Sequence, residues 1–253
     1  MATLELRPLS TGEILDGALA LLRRHFTLLF GIAVACEGLP TALNVYLERA
    51  GGGIAHPGLA LLGWVLNAVG TLLVTGATVR VVSEAYLGRL PGLGDALSFA
   101  GGKLGVIFGA TFASSLVTVL ATLALVIPGI IVLCGYAVAA QVAALEPLRS
   151  STDALRRSWT LTQGFKGKAL ALWIVSFALI LAVIAGLSFL GGIVAGLVGG
   201  LDVAVSVLLA LVSLLIYPLI ACVFTLFYYD LRVRKEGFDL EVLSGQLGIA
   251  PQP

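Results

Sequence analysis

Charge is scarce in this chain. Asp, Glu, Lys and Arg make up 11% of its 253 residues, where an average soluble domain carries roughly a quarter. With 59% hydrophobic residues and a mean hydropathy of +1.06, that scarcity excludes an ordinary water-soluble globule and points to a membrane protein. A net charge of +1 offers no basis for nucleic-acid binding. The two histidines, His25 and His56, flank the first apolar run and so cannot pair across one metal or proton path. The three cysteines, Cys36, Cys134 and Cys222, each lie inside an apolar run, with no C-x-x-C among them. They read as small buried hydrophobes rather than as a disulfide framework or metal site. G-x-S-x-G, Walker and H-E-x-x-H patterns are missing, so no catalytic constellation and no cofactor is expected. The opening residues also lack the order of a cleavable signal peptide, so the first span is expected to stay in the protein.

What the chain has is long apolar runs. A membrane helix takes about 20 mostly apolar residues, and runs of this kind lie near 26–47, 59–82, 104–126, 129–146, 169–198 and 203–228. Residues 104–145 hold no charge at all, yet one helix of that length would reach roughly 60 Å, twice the hydrocarbon thickness. "VIPGII" supplies the break, with Pro128 removing a helix donor and Gly129 permitting a turn. The fifth run exceeds what a span needs, which predicts a tilt or a break near Gly191 and Gly192. The expected fold is therefore all-α, one membrane domain of six spans. Of the 15 Lys and Arg residues only Arg49 falls on the far side, which predicts that both termini are cytoplasmic.

Two or three amphipathic helices are expected along the cytoplasmic interface. In residues 10–25, Ile14, Leu15, Ala18, Leu19, Leu21 and Leu22 share one face, and Ser10 with Glu13 forms a capping-box pattern. Ser150 and Asp153 repeat that pattern before "ALRRSWTLTQG", where Asp153 stands four before Arg157 and Trp159 suits headgroup depth. Asp95-Ala96-Leu97 is a shorter version before the third span. An acid, a small or branched residue and Leu thus precede spans one, three and five, which suggests three equivalent units of interfacial helix plus hairpin.

Polar residues inside the spans are the candidate site. Glu37 stands mid-span, where a lone carboxylate costs several kcal/mol unless protonated, paired or hydrated. Glu37, Thr41, Asn44 and Glu48 share one helix face, as do Asn67, Thr71, Thr75 and Thr78 in span two. An antiparallel hairpin would set Glu37 beside Thr71 and Thr75, and Asn44 at the depth of Asn67. Thr111, Ser115, Thr118 and Thr122 add a third stripe. The stripes read either as a proton- or cation-binding cavity or as interhelical hydrogen-bond glue. Gly101, Gly105, Gly109 and Ala113, and again Gly192, Gly196 and Gly200, form small-residue seams for close helix packing, within the chain or between copies. Pro40 and Pro218 are expected to kink their helices.

The run "YYDLRVRKEGFDLE" closes the last span. Tyr228 and Tyr229 suit headgroup depth, Gly237 suits a helix stop, and residues 229–253 read as a cytoplasmic tail. Asp230, Glu236, Asp239 and Glu241 balance Arg232, Arg234 and Lys235, and the cluster is expected to dock as a latch on the other cytoplasmic helices through Arg156 or Arg157. Glu146 is expected to neutralise Arg149 or Arg156.

"LRPLSTGEILDGALALLRRHF" (6–26), "ALRRSWTLTQG" (154–164) and "YYDLRVRKEGFDLE" (228–241), with "VIPGII" and "LEPL", resemble the bacterial family named for the membrane domain of glycerophosphoryl diester phosphodiesterase. That name comes from chains in which such a region is fused to a catalytic barrel. The barrel's metal-binding acids and paired histidines have no counterpart here. The resemblance therefore implies a stand-alone membrane module, without transferable catalytic residues, linked to phospholipid or glycerol-phosphate metabolism. Three functional readings follow. The first is a non-catalytic module that organises a partner protein or the lipid bilayer. The second is a permease-like transporter built on the Glu37 cavity, and the third is a membrane-embedded enzyme.

Overall fold

The computed structural model describes residues 7–86, 88–148, 150–198 and 202–237, and it is helical with no strand among them. Helix α1 (Thr11–Arg24) leads into α2 (Phe26–Arg49). A single turn, α3 (Gly52–Ala55), then connects to α4 (Pro57–Tyr86). The chain continues through α5 (Leu93–Ala124), α6 (Val126–Gly135), α7 (Ala139–Leu145), α8 (Ser151–Thr162), α9 (Lys166–Val198) and α10 (Asp202–Glu236). Six segments are long and apolar enough to cross a bilayer: α2, α4, α5, α6 with α7, α9 and α10. Large apolar side chains such as Leu116, Leu120, Phe177 and Leu197 point outward, as lipid contact demands of a multi-pass membrane protein.

Span boundaries differ from expectation where polar residues extend a helix beyond its apolar run. The 59–82 and 203–228 runs lengthen to Pro57–Tyr86 and Asp202–Glu236, so 229–236 are helix rather than tail. The rest of the expected tail lies outside the described residues apart from Gly237. That glycine ends α10 with φ +61°, its N–H donating to the Val233 carbonyl at 3.2 Å. The α5/α6 break falls at Leu125, in extended backbone, and Pro128 sits in the first turn of α6, where its missing N–H costs nothing. The fourth span is itself interrupted at residues 136–138. Helix α9 is unbroken through Gly191 and Gly192. Gly191 instead permits close approach to α10, since a Cβ there would lie 2.5 Å from Val205.

The segment before α1 and the end of α10 meet on one face of the bundle, here termed the terminal face, opposite the α2–α4 connection. Helix α10 is the hub: it packs on α1, α2, α4 and α9, and its end reaches α7 and α8. Helix α1 presents Ile14, Ala18 and Leu21 inward, all buried. A Cβ at Gly17 would touch Leu226 at 3.2 Å, so the apolar face of α1 is covered by α10. The three acid-led starts share one local geometry. Glu13, Asp95 and Asp153 accept from the N-cap N–H of Ser10, Gly92 and Ser150 at 2.7, 3.2 and 3.1 Å. The next residue in each, Ile14, Ala96 and Ala154, is fully buried. The second start is the first turn of α5 rather than a separate helix.

Helix α8 is wedged into the protein. Where α6 ends, the Gly135 carbonyl accepts from Ser158 Oγ and Thr162 Oγ1, each at 3.0 Å. Trp159 presses on Gly135 so closely that a Cβ there would lie 2.3 Å from its ring. Its other neighbours are Tyr136 and Lys166, whose Nζ is 3.5 Å from the ring centroid. Trp159 is thus a packing residue, because the α6/α7 break opens a slot that α8 fills.

The glycine seams divide. Gly109 meets Ser151 of α8, but Gly101, Gly105, Gly192 and Gly196 face open space, and Gly200 lies outside the described residues.

Candidate functional site: a buried carboxylate between cavities

Helices α2 and α4 form the expected antiparallel hairpin, and Gly70 lets them touch. A Cβ at Gly70 would lie 2.6 Å from the Cys36 carbonyl oxygen and 2.8 Å from Glu37 Oε1. Glu37 is completely buried. Asn67 Nδ2 donates to its Oε2 at 2.9 Å, and Thr71 Oγ1 donates to its Oε1 at 2.8 Å. These donors are neutral, and no basic side chain pairs with Glu37 among the described residues. Thr75 is a turn removed and donates instead to the Thr71 carbonyl at 2.8 Å. Asn67 Nδ2 also donates to Tyr217 Oη of α10 at 3.1 Å. A carboxyl group, an amide, a hydroxyl and a phenol are thus joined across three helices.

Three cavities adjoin this network. Two lie toward the far face. One, of about 470 Å³, includes Asn44, Glu48, Trp64 and Asn67. Another, of about 300 Å³, includes Thr41, Asn44, Asn67 and Ser188. The third, of about 530 Å³, lies toward the terminal face and includes Thr71, Thr75, Thr111, Ser115 and Thr118. Tyr217 lines all three. Asn67 faces the outer pair and Thr71, one turn away, faces the inner one. The carboxylate of Glu37 lines none of them and reaches each through Asn67 or Thr71. Thr122 is not part of the third stripe, because it packs against Gly129 at the α5/α6 turn.

Of the predicted site, Glu37, Asn67 and Thr71 are brought into contact, Thr75 supports them, and Thr41 and Asn44 line the outer cavities. Tyr217, Gln141 and Trp173 were not anticipated. Each is a single polar-tipped residue in an apolar stretch, Tyr217 directly before Pro218 in "LIYPLIA" and Gln141 in "AVAAQVAAL". That isolation is the signal that could have marked them.

The cluster docks on α8 through Arg157, as expected, and adds partners on α9 and at Leu9. Asp230, 2% exposed, accepts from the Leu9 backbone N–H at 2.7 Å, from Lys168 Nζ at 2.6 Å and from Arg234 Nε at 2.9 Å. Arg157 pairs with Glu146 at 2.9 Å and with Glu236, while Arg232 pairs with Glu236 at 2.9 Å. Arg156 is exposed and makes no ion pair among the described residues. Helical rotation explains the choice: Arg157 is on the α8 face turned to α10, and Arg156 is 100° away. Asp153 is occupied by its cap, so its expected pairing with Arg157 does not form. Glu146 therefore meets Arg157 rather than Arg156, and Arg149 lies outside the described residues. Burial works against the Arg157 charge, but the hydrogen bonds to Glu146 and Glu236 outweigh it and raise its pKa. Tyr228 and Tyr229 are buried in the protein, donating to Glu146 at 3.0 Å and Ser83 Oγ at 2.9 Å.

No protein family, curated protein or solved structure matches the chain in sequence or fold comparison.

Proposed function

We propose that the protein is a permease-like membrane module in which Glu37 binds a proton or small cation and couples it to a solute path. The observation that carries this reading is the placement of the Asn67–Glu37–Thr71 network between cavities that lie on either side of it along the bundle. A carboxylate held only by neutral donors in a bilayer interior is the group that gains most from a proton or cation. Tyr217, shared by all three cavities, is the barrier whose movement would join them. Broken spans beside such a site, as at residues 136–138, are a recurring feature of transporters.

This reading displaces the passive lipid- or partner-organising module as first choice, since a scaffold has no need of stacked internal cavities. It is non-catalytic. The clusters at the chain's basic edges support membership of the glycerophosphoryl diester phosphodiesterase membrane-domain family, and hence a bacterial inner membrane with cytoplasmic termini. The test is reconstitution in liposomes loaded with a pH-sensitive dye, challenged with neutral and cationic solutes. Solute-dependent proton movement in the parent and its loss in Glu37→Gln is the expected result. A Glu37→Gln protein that transports like the parent, or a parent that moves neither proton nor cation with any solute, removes the proposal.

A further inference from the structure

The inner cavity has a polar character that Glu37 does not explain. Charged side chains are missing from its lining, which is largely apolar. Three of its lining residues nevertheless carry closed-off polar atoms without a hydrogen-bond partner: Thr111 Oγ1, Gln141 Oε1 and Trp173 Nε1. Gln141 is 4% exposed. A buried polar group left unsatisfied costs about 1–3 kcal/mol, and here several converge on one space. Three other hydroxyls in the wall donate their protons to the backbone. Thr75 donates to Thr71, Ser114 to Thr111 and Thr118 to Ser114, all to backbone carbonyls at 2.7–2.9 Å. Their oxygens remain as acceptors. The wall is thus neutral, with oxygens that remain as acceptors and with the Trp173 indole N–H among its donors. Its volume of about 530 Å³ falls among small-molecule sites. Ser115 and Val119 on its rim are exposed at mid-span depth, so the cavity opens sideways between helices toward the acyl chains.

We infer that this cavity binds an uncharged amphiphile, its hydroxyl-bearing end held near Gln141 and Trp173 and its alkyl chain leaving past Ser115 and Val119. A hydroxyl both donates and accepts, which answers Gln141 Oε1 and the Trp173 N–H together. An anionic headgroup finds no cation there, and a cationic one finds no carboxylate, so charge is selected against by desolvation. The inference deepens the permease reading by naming a ligand class for its inner cavity, but binding itself needs neither a gradient nor Glu37.

Trp173 serves as the reporter in a Trp64→Phe, Trp159→Phe protein held in nanodiscs. Dibromostearyl alcohol is expected to quench its fluorescence saturably. Dibromostearate, with the same chain and a charged end, is expected to quench only in proportion to its content in the bilayer. Gln141→Leu should weaken the apparent affinity for the alcohol about fivefold to tenfold, the equivalent of one buried hydrogen bond. Ala140→Phe, which fills the space from α7, should abolish the saturable component. Where Trp159→Phe does not fold, the same two probes are compared in Trp64→Phe, with Trp173→Phe as the blank. Equal, unsaturable quenching by alcohol and stearate overturns the inference, as does saturable quenching that Ala140→Phe leaves intact. Saturable binding of the alcohol that survives in Glu37→Gln supports the site whatever the outcome for transport.

Discussion

At the scale of single residues, Gly70 and Glu37 depend on each other. The close approach at Gly70 is what puts the Glu37 carboxyl within reach of two α4 donors. Gly70→Ala places a methyl group against a backbone carbonyl that cannot turn away, and overpacking of this kind costs about 1–3 kcal/mol. Its thermal midpoint in detergent should fall accordingly. Glu37→Gln keeps an acceptor for Asn67 or Thr71 and should leave that midpoint near the parent's. Glu37→Leu leaves one Asn67 amide proton without an acceptor, Thr71 keeping the Asn67 carbonyl at 2.8 Å, and should cost about 1–3 kcal/mol. Equal stability of the Gln and Leu variants would show that the hydrogen bonds contribute nothing.

Individual helices are held by their ends. On α1, the Ser10 backbone N–H and the Arg7 guanidinium hold the Glu13 carboxyl at about 2, below its ordinary 4.5. The folded value is the lower one, so the cap's contribution is present above about pH 4.5 and is lost as pH falls toward about 2. The stability gap between parent and Glu13→Gln should be constant at neutral pH and close across that window in thermal melts. At the other end of the chain, Asp230 fastens α10 to Lys168 of α9 and to the Leu9 backbone. Asp230→Asn leaves Lys168 without its counter-charge and should cost about 3–5 kcal/mol, the range for breaking a buried ion pair. Denaturant unfolding in detergent would measure it, and an unchanged midpoint would reduce the latch to a surface contact.

The whole molecule is asymmetric across the membrane. The ion pairs and caps gather on the terminal face, while the opposite connection is short and weakly charged. In a protein with Cys36, Cys134 and Cys222 replaced by Ala, a membrane-impermeant maleimide should label Ile54→Cys in intact cells. Arg24→Cys should react only in inverted vesicles. The reverse pattern would invert the orientation expected from the basic residues.

Much of this architecture is legible in the sequence because a bilayer imposes simple rules. Length and apolarity mark the spans, and an acid three residues after Ser10 or Ser150 marks a helix start. The α2–α4 polar contact is also legible, since two helices joined by a short connection are antiparallel neighbours and their depths can be matched residue by residue. Partners distant in sequence are not. Nothing local to Asp230 identifies Lys168 or Leu9, and nothing local to Ser158 identifies the Gly135 carbonyl, because each pairing depends on how helices from different hairpins rotate and dock. By itself the sequence determined that the chain crosses the membrane as helices and that Glu37 would face Thr71, both consequences of hydrophobicity and helical period. Only the tertiary structure decided that α8 plugs the fourth span, that Tyr217 lines all three cavities, and that Asp230 joins α10 to Leu9 and Lys168, since those contacts arise from packing of surfaces that no single segment contains.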